Sequence, residues 1–81
     1  MILNEVDIGK TETSKRIAVS KNLGKQVIVY DFHQGWCHGK LLKERGDLKE
    51  NSDSFYQMKI SDARGQRNFY YHDLSHLLVI E

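Results

Sequence analysis

The strongest structural signal in this chain is a two-residue spacing of large apolar side chains in its second half. Such residues recur at every second position in segment 55–61 and again in 67–71. This spacing is typical of β-strands, because successive side chains point to opposite faces of a sheet. The residues between the two segments include Gly65 and predict a hairpin turn. The run Val27–Tyr30 is β-branched and aromatic at every position, which predicts a central strand.

The chain has 81 residues, which is enough for one small domain. Hydrophobic residues make up 40% and charged residues 28%, a composition typical of globular proteins. The single cysteine excludes an intramolecular disulfide. We therefore predict one domain over residues 1–81, with an N-terminal extension over 1–23 and the main β portion over 24–81.

The remaining elements follow from turn residues and short apolar runs. A second strand is predicted over Trp36–Leu42, and Gly39 inside it indicates a bend or a close backbone approach. A polar loop covers Lys43–Ser54, a helical turn covers His72–His76, and a last strand covers Leu77–Ile80. In the extension, residues 13–23 suit either a strand or a short helix ending near Gly24, and the alternation of Ile17 and Val19 favours a strand or irregular structure.

This order of elements resembles that of the small SH3-like barrels. The resemblance rests on the segments 24–29 and 35–41 and on the turn at Asp73–Leu74 before the last strand. The Sm and Hfq-like proteins and the KOW and Tudor-like domains are similar. The resemblance implies a mostly β fold, a small SH3-like barrel of about five strands with an N-terminal extension that is a short strand or helix.

Charge and termini limit the classes of partner. Twelve Lys and Arg residues against eleven Asp and Glu residues give a net charge of +1, less than a dedicated duplex-DNA binder carries. No apolar run reaches the roughly 18 residues of a membrane-spanning helix, so no membrane partner is predicted. The acidic residues near the N-terminus do not fit a signal peptide, and we expect a cytoplasmic protein.

Metal binding and catalysis are not favoured by the residue pattern. The candidate ligands His33, Cys37 and His38, with two later histidines, include no Cys-x-x-Cys pair. Cys37 and His38 are adjacent, so on a strand they point to opposite faces. Nothing in the sequence orients a Cys–His nucleophilic pair. We therefore predict no metal, no cofactor and no enzymatic activity.

The aromatic residues supply the candidate binding surface. The predicted core consists of Val27, Val29, Trp36, Leu41, Met58, Ile60, Phe69, Leu77 and Val79. Strand alternation then places Phe55 and Tyr70 outside, where exposed aromatic rings suit a protein partner or stacked bases. The candidate binding residues are Phe55, Tyr70, Lys59, Arg64, Arg67, Lys43 and Arg45. The alternative is that residues 1–23 fold over this face and cover it.

These observations predict a non-catalytic binding module. The first hypothesis is a protein-interaction or inhibitor domain, which the near-neutral charge favours. Phosphate contacts require clustered cations, which is why near-neutral charge favours this first hypothesis. The second is an RNA- or DNA-binding barrel, which the resemblance favours. Association of the chain with itself is also compatible with a small sheet that has an apolar last strand.

Overall fold

The computed structural model describes residues 1–45, 55–62 and 65–81. In chain order its elements are β1 (Leu3–Glu5), α1 (Glu12–Ser20), β2 (Gln26–Asp31), β3 (Gly35–Arg45), β4 (Phe55–Ile60), β5 (Gln66–Tyr70), a 3-10 turn (Tyr71–Asp73) and β6 (Leu74–Ile80). The mostly β class predicted from the sequence is confirmed. The predicted strands at 27–30, 36–42, 55–61 and 67–71 correspond to β2, β3, β4 and β5.

The described strands form one antiparallel sheet in the order β1-β6-β2-β3-β4-β5. The central hairpin pairs Tyr30 with Trp36 and Val29 with Cys37. On its other side β2 pairs with β6, with Tyr30 opposite His76. Register shifts occur between Tyr30 and Asp31 and between Leu41 and Lys43, and such irregularities bend a sheet.

The sheet is strongly curled. Four strand spacings separate β5 from β6 in the sheet order, which in a flat sheet is about 19 Å. Only three residues connect Tyr70 to Leu74, and four steps of fully extended chain reach about 14 Å at most. The two strands must therefore approach each other across the concave face. The hydrogen bond from Arg67 Nη1 on β5 to Gln34 Oε1 in the β2–β3 turn, 3.3 Å long, crosses the same face.

The curled sheet is open, which corrects the expectation of a closed barrel of about five strands. Within residues 1–45, 55–62 and 65–81, six strands are present, β5 pairs with β4 alone, and β1 pairs with β6 alone. The additional strand is β1, which adds to the outer edge of β6 through Leu3–Ile80 pairing. Its three residues were too few for alternation to reveal it in the sequence.

The preference for a strand or irregular structure over residues 15–20 was wrong, because this segment lies in α1. Thr11 is the N-cap, and it forms a reciprocal capping box with Ser14. α1 packs its Ala18 and Val19 side chains against the sheet, and Val19 is fully inaccessible to solvent. The short-helix alternative was the correct one. None of the described helices has the length and apolar character needed to cross a bilayer.

The core lies on the concave face, between the sheet and α1. Seven of the nine predicted core residues are buried, Ile60 is partly buried against the core, and Trp36 is exposed. The buried set also includes Ile8, Cys37, Tyr56, Tyr71 and Leu74. Gly39 faces this side, where a Cβ would overlap the carbonyl oxygen of Lys59, so the predicted close backbone approach is confirmed.

Candidate functional site

The opposite, outer face of the sheet carries a contiguous set of exposed aromatic rings. Trp36 and Phe32 are 60% and 66% exposed, whereas most other aromatic rings of the described chain are buried or half-buried. The Tyr30 ring centroid lies 5.0 Å from that of Trp36 and 5.9 Å from that of Phe32. The His76 ring stacks on Trp36 at 5.9 Å with an interplanar angle of 21°. We call these four residues, Tyr30, Phe32, Trp36 and His76, the aromatic cluster.

The β2–β3 turn holds one end of the aromatic cluster in place. The Asp31 carboxylate, which is almost fully buried, accepts hydrogen bonds from the backbone N–H groups of His33 and Gln34 at 2.8 and 3.0 Å. Gly35 closes the turn with φ of 75°, a conformation that favours glycine. The Phe32 N–H donates to the Asp73 carbonyl at 2.9 Å, which joins the turn to the 3-10 turn. These hydrogen bonds hold the backbone that carries the exposed Phe32 ring.

Acidic side chains border the aromatic cluster on the β1 side. His76 Nδ1 lies 3.0 Å from Glu5 Oε2. An open groove of about 430 Å³ begins at this pair and is lined further by Asp7, Gly9 and Ser75. The Asp7 carboxylate accepts from the Gly9 N–H at 3.0 Å, which orders this segment. The surface beside the aromatic rings is thus negatively charged and concave.

The two predicted binding aromatics lie in the outer row of side chains, in register with each other. Phe55 pairs with Tyr70 across β4 and β5; Phe55 is half-buried and Tyr70 is 42% exposed. The alternation argument that placed Tyr70 outside, between Phe69 and Tyr71 inside, is confirmed. Tyr70 stacks on His72 at 5.7 Å. Among the described residues, no ring contact joins Phe55 or Tyr70 to the aromatic cluster, which sequence reasoning did not assemble.

Of the predicted cationic residues that the structure describes, Lys43 and Lys59 are exposed near each other, since Lys43 pairs with Gln57, two residues from Lys59 on β4, whereas Arg67 lies elsewhere. Lys59 is exposed on the outer face, directly opposite Lys40. Arg67 belongs to the other row of side chains and contacts Gln34, while Lys43 is exposed beyond the register shift in β3. Arg64 and the side chain of Arg45 lie outside the described residues, as does most of the predicted loop, from residue 46 to 54.

Trp36 corrects the predicted core. Its ring was expected inside because large apolar residues are commonly buried. Strand parity places it outside instead: Cys37 and Leu41 point inward, so Trp36 and His38 point outward. In the pairing of β2 with β3, Trp36 also lies opposite Tyr30. The Tyr30 side chain points to the outer face because that of its neighbour Val29 is buried in the core. The odd spacing between Trp36 and buried Leu41 is a sequence signal that could have identified this position, although the prediction placed Trp36 in the core.

Cys37 and His38 lie on opposite faces, as the sequence indicated. Cys37 is buried and His38 is exposed. Burial raises the pKa of the Cys37 thiol, the nearby Asp31 carboxylate raises it further, and Arg67 opposes both effects. A raised thiol pKa disfavours the thiolate that nucleophilic catalysis and metal ligation require. The physical environment of Cys37 is therefore that of a packed core residue.

The N-terminal segment covers neither Tyr70 nor the aromatic cluster, because Tyr70, Phe32 and Trp36 all remain exposed. Residues 1–23 divide between β1, which extends the sheet edge at β6, and α1, which packs on the concave face.

Searches of protein-family models, of curated proteins and of solved structures found no match to this chain. The case for function therefore rests on the geometry of the outer face.

Proposed function

We propose that this protein is a non-catalytic binding module that recognises a protein partner through the aromatic cluster. The observation that carries the proposal is the contiguous contact of Tyr30, Phe32, Trp36 and His76, with Trp36 and Phe32 more than half exposed. Trp and Tyr are the residue types most enriched among interface residues that contribute strongly to binding. Their side chains bury a large area and lose few rotatable bonds.

Rigidity of the aromatic cluster supports the proposal. Phe32 sits on a turn held by hydrogen bonds to Asp31, and the Trp36 ring contacts both the Tyr30 ring and the His76 ring. Rings that already hold one orientation lose less conformational entropy on binding. The cluster is therefore preorganised for a partner with a complementary surface.

Charge beside the aromatic cluster favours a protein over a nucleic acid. Glu5 contacts His76 directly, and Asp7 lines the adjoining groove. A phosphodiester backbone laid along this side would be repelled by both carboxylates, whereas a lysine or arginine side chain of a protein would be attracted. A basic side chain over the face of Trp36 would gain a cation–π contact as well.

The test is affinity capture from a lysate of the source cells, with and without nuclease, using the full chain as bait. We expect a nuclease-resistant protein that Trp36→Ala and Phe32→Ala each weaken by about 2 kcal/mol, the loss typical of an aromatic anchor. Ile17→Ala is the matched control, because Ile17 is also a half-exposed apolar residue but lies on α1. Unchanged capture by Trp36→Ala would place the binding site elsewhere.

A nucleic acid is the second candidate, and one observation favours it. Lys40 and Lys59 face each other on the outer surface of β3 and β4, an arrangement of like charges that destabilises a sheet and that a bound phosphate would offset. In that case capture would be nuclease-sensitive. Lys40→Ala and Lys59→Ala would then each lower the slope of log affinity against log salt by about one.

The order of elements supports a place for this sheet among the small SH3-like barrels. From β2 to β6 the chain forms a hairpin, a second hairpin and a 3-10 turn before the last strand, the order from which the resemblance was drawn. The strong curl that the short β5–β6 connection imposes also fits that architecture. Such folds host many functions, so this likeness bears on shape and not on the choice of partner.

A further inference from the structure

We propose that the protein partner inserts a lysine or arginine side chain into the groove beside the aromatic cluster, where Glu5 and Asp7 bind its charge. This inference rests on the binding function proposed above and specifies the chemistry of the partner. The groove has a volume of about 430 Å³, and segment 5–9 forms one wall of it against Ser75 and His76 of β6. Ligand sites in proteins commonly have volumes of about 300–1,000 Å³.

The wall formed by segment 5–9 is held in place by β6 and α1. The Val6 N–H donates to the Leu77 carbonyl oxygen at 2.8 Å, and the Ile8 carbonyl oxygen accepts from Ser14 Oγ at 2.7 Å. Ile8 is buried in the core, which anchors the segment further. The wall is therefore ordered in the free protein, so binding of a partner costs less conformational entropy.

The lining of the groove suits both the charged end and the apolar stem of a basic side chain. The Glu5 side chain is 61% exposed, and the Asp7 carboxylate is oriented by the hydrogen bond it accepts from the Gly9 N–H. Carboxylates attract a cation, and they accept hydrogen bonds from the ammonium of lysine or the guanidinium of arginine. The apolar Val6 also lines the groove and can contact the methylene groups of such a side chain.

The position of the groove beside the aromatic cluster specifies the spacing of the partner's residues. Glu5 Oε2 lies 3.0 Å from the His76 ring nitrogen, and the His76 ring centroid lies 5.9 Å from that of Trp36. The Glu5 carboxylate is thus within about 10 Å of the Trp36 ring, a distance that about three residues of extended chain span. The matching segment of the partner therefore carries a basic residue about three positions from an aromatic or aliphatic residue.

A library of random peptides displayed on phage and selected against the full chain tests this inference. Selected peptides should carry lysine or arginine about three positions from an aromatic or aliphatic residue. A synthetic peptide of such a sequence should bind the double variant Glu5→Gln, Asp7→Asn about fivefold more weakly than the unmodified chain, because surface ion pairs contribute up to about that factor. The same peptide with norleucine in place of the basic residue should bind both forms equally. Glu12→Gln, which removes an exposed carboxylate from α1, is the control and should bind as the unmodified chain does.

Other outcomes contradict the inference. If no peptide is selected, if selected peptides lack basic residues, or if the double variant binds them unchanged, the groove does not receive a basic side chain. Trp36→Ala separates this failure from a failure of the aromatic-cluster proposal. Selected peptides that lack basic residues but lose affinity for Trp36→Ala would contradict the groove and support the aromatic cluster. Basic peptides that the double variant weakens and Trp36→Ala leaves unchanged would support the groove and contradict the aromatic cluster.

Discussion

Tyr56 and Tyr71 are two fully buried tyrosines whose hydroxyl groups have different surroundings. Their rings pack together at 5.3 Å in the core. The Tyr71 hydroxyl donates to Glu44 Oε2 at 3.2 Å, and Glu44 is also 3.7 Å from Arg16 Nε. The Tyr56 hydroxyl has no hydrogen-bond partner among the described residues. An unpaired buried hydroxyl lowers stability, whereas a paired one adds to it.

The first prediction compares the removal of these two hydroxyl groups. Tyr56→Phe should leave the free energy of unfolding unchanged or raise it by about 1 kcal/mol, because it removes an unsatisfied polar atom. Tyr71→Phe should lower it by about 1–2 kcal/mol, because the Glu44 carboxylate loses a donor. Urea unfolding followed by far-ultraviolet circular dichroism measures both. Equal destabilisation by the two variants would mean that Tyr56 has a partner in solution.

The second prediction concerns alkaline pH. Burial raises the pKa of Tyr56 above its usual value of 10.0, and burial with the Glu44 carboxylate raises the pKa of Tyr71. Because each pKa is higher in the folded protein than in the unfolded chain, a rise in pH removes the phenol proton from the unfolded chain before it removes it from the folded protein. Stability is therefore intact below pH 10 and is lost as the pH rises above it, by about 1.4 kcal/mol per pH unit for each tyrosine.

Tyr56→Phe is the control for this pH dependence, because it retains the ring and removes the proton. Above pH 10, the free energy of unfolding should fall less steeply in Tyr56→Phe than in the unmodified chain, by about 1.4 kcal/mol per pH unit. Stability measured by urea unfolding at pH 9, 10 and 11 gives the slope. If the two curves run parallel, the Tyr56 hydroxyl ionises as readily in the folded protein as in the unfolded chain.

At the scale of single elements, α1 shows where sequence patterns are ambiguous. Ile17 and Val19 are two apart, which fits a strand, but they lie in a helix with Ile17 half exposed and Val19 buried. The polar segment before them decided the outcome, because Thr11 and Ser14 satisfy free N–H groups at the helix start. A nine-residue helix has too few turns for its period to be recognised from apolar positions alone.

The third prediction tests that explanation. Thr11→Ala removes the side-chain cap of α1 and should lower the free energy of unfolding by about 1 kcal/mol. Thr13→Ala is the matched control, since Thr13 is an exposed residue within the first turn of α1 and alanine favours helices. Its unfolding free energy should be unchanged or slightly higher. Thermal unfolding of the two variants measures the difference, and equal midpoints would assign the start of α1 to tertiary packing.

The strands were more predictable than the helix, and the site less so. Alternation identified β4 and β5 because each has one buried and one open face, as Tyr56 and Phe69 show. It also placed Tyr70 outside. The aromatic cluster was missed because its members come from β2, the β2–β3 turn, β3 and β6, which only the register brings together. The large apolar side chain of Trp36 suggested that it is buried. Its odd spacing from buried Leu41 on the same strand indicates the outer face, where it lies.

At the scale of the whole molecule, the short connection between β5 and β6 determines which surfaces remain free. It curls the sheet, and α1 fills the concave side, so the core is enclosed by one helix and one face. The convex outer face then remains open, with the aromatic cluster at one end and the Lys40–Lys59 pair further along β3. β5 lies at the far end of the sheet order from β1.

The last prediction uses Trp36, the single tryptophan of the chain, as a reporter of the outer face. Because its side chain is 60% exposed in the folded protein, its fluorescence should resemble that of a solvated indole and be readily quenched by iodide. Unfolding in urea should therefore change its emission maximum little, although circular dichroism shows the full transition. A protein partner seated on the aromatic cluster should shift the emission to shorter wavelength and protect it from iodide, because the ring is then removed from water. Emission already blue-shifted and protected in the isolated monomer would mean that another part of the chain covers Trp36. Blue-shifted emission that moves with concentration would instead mean that copies of the chain associate through this face.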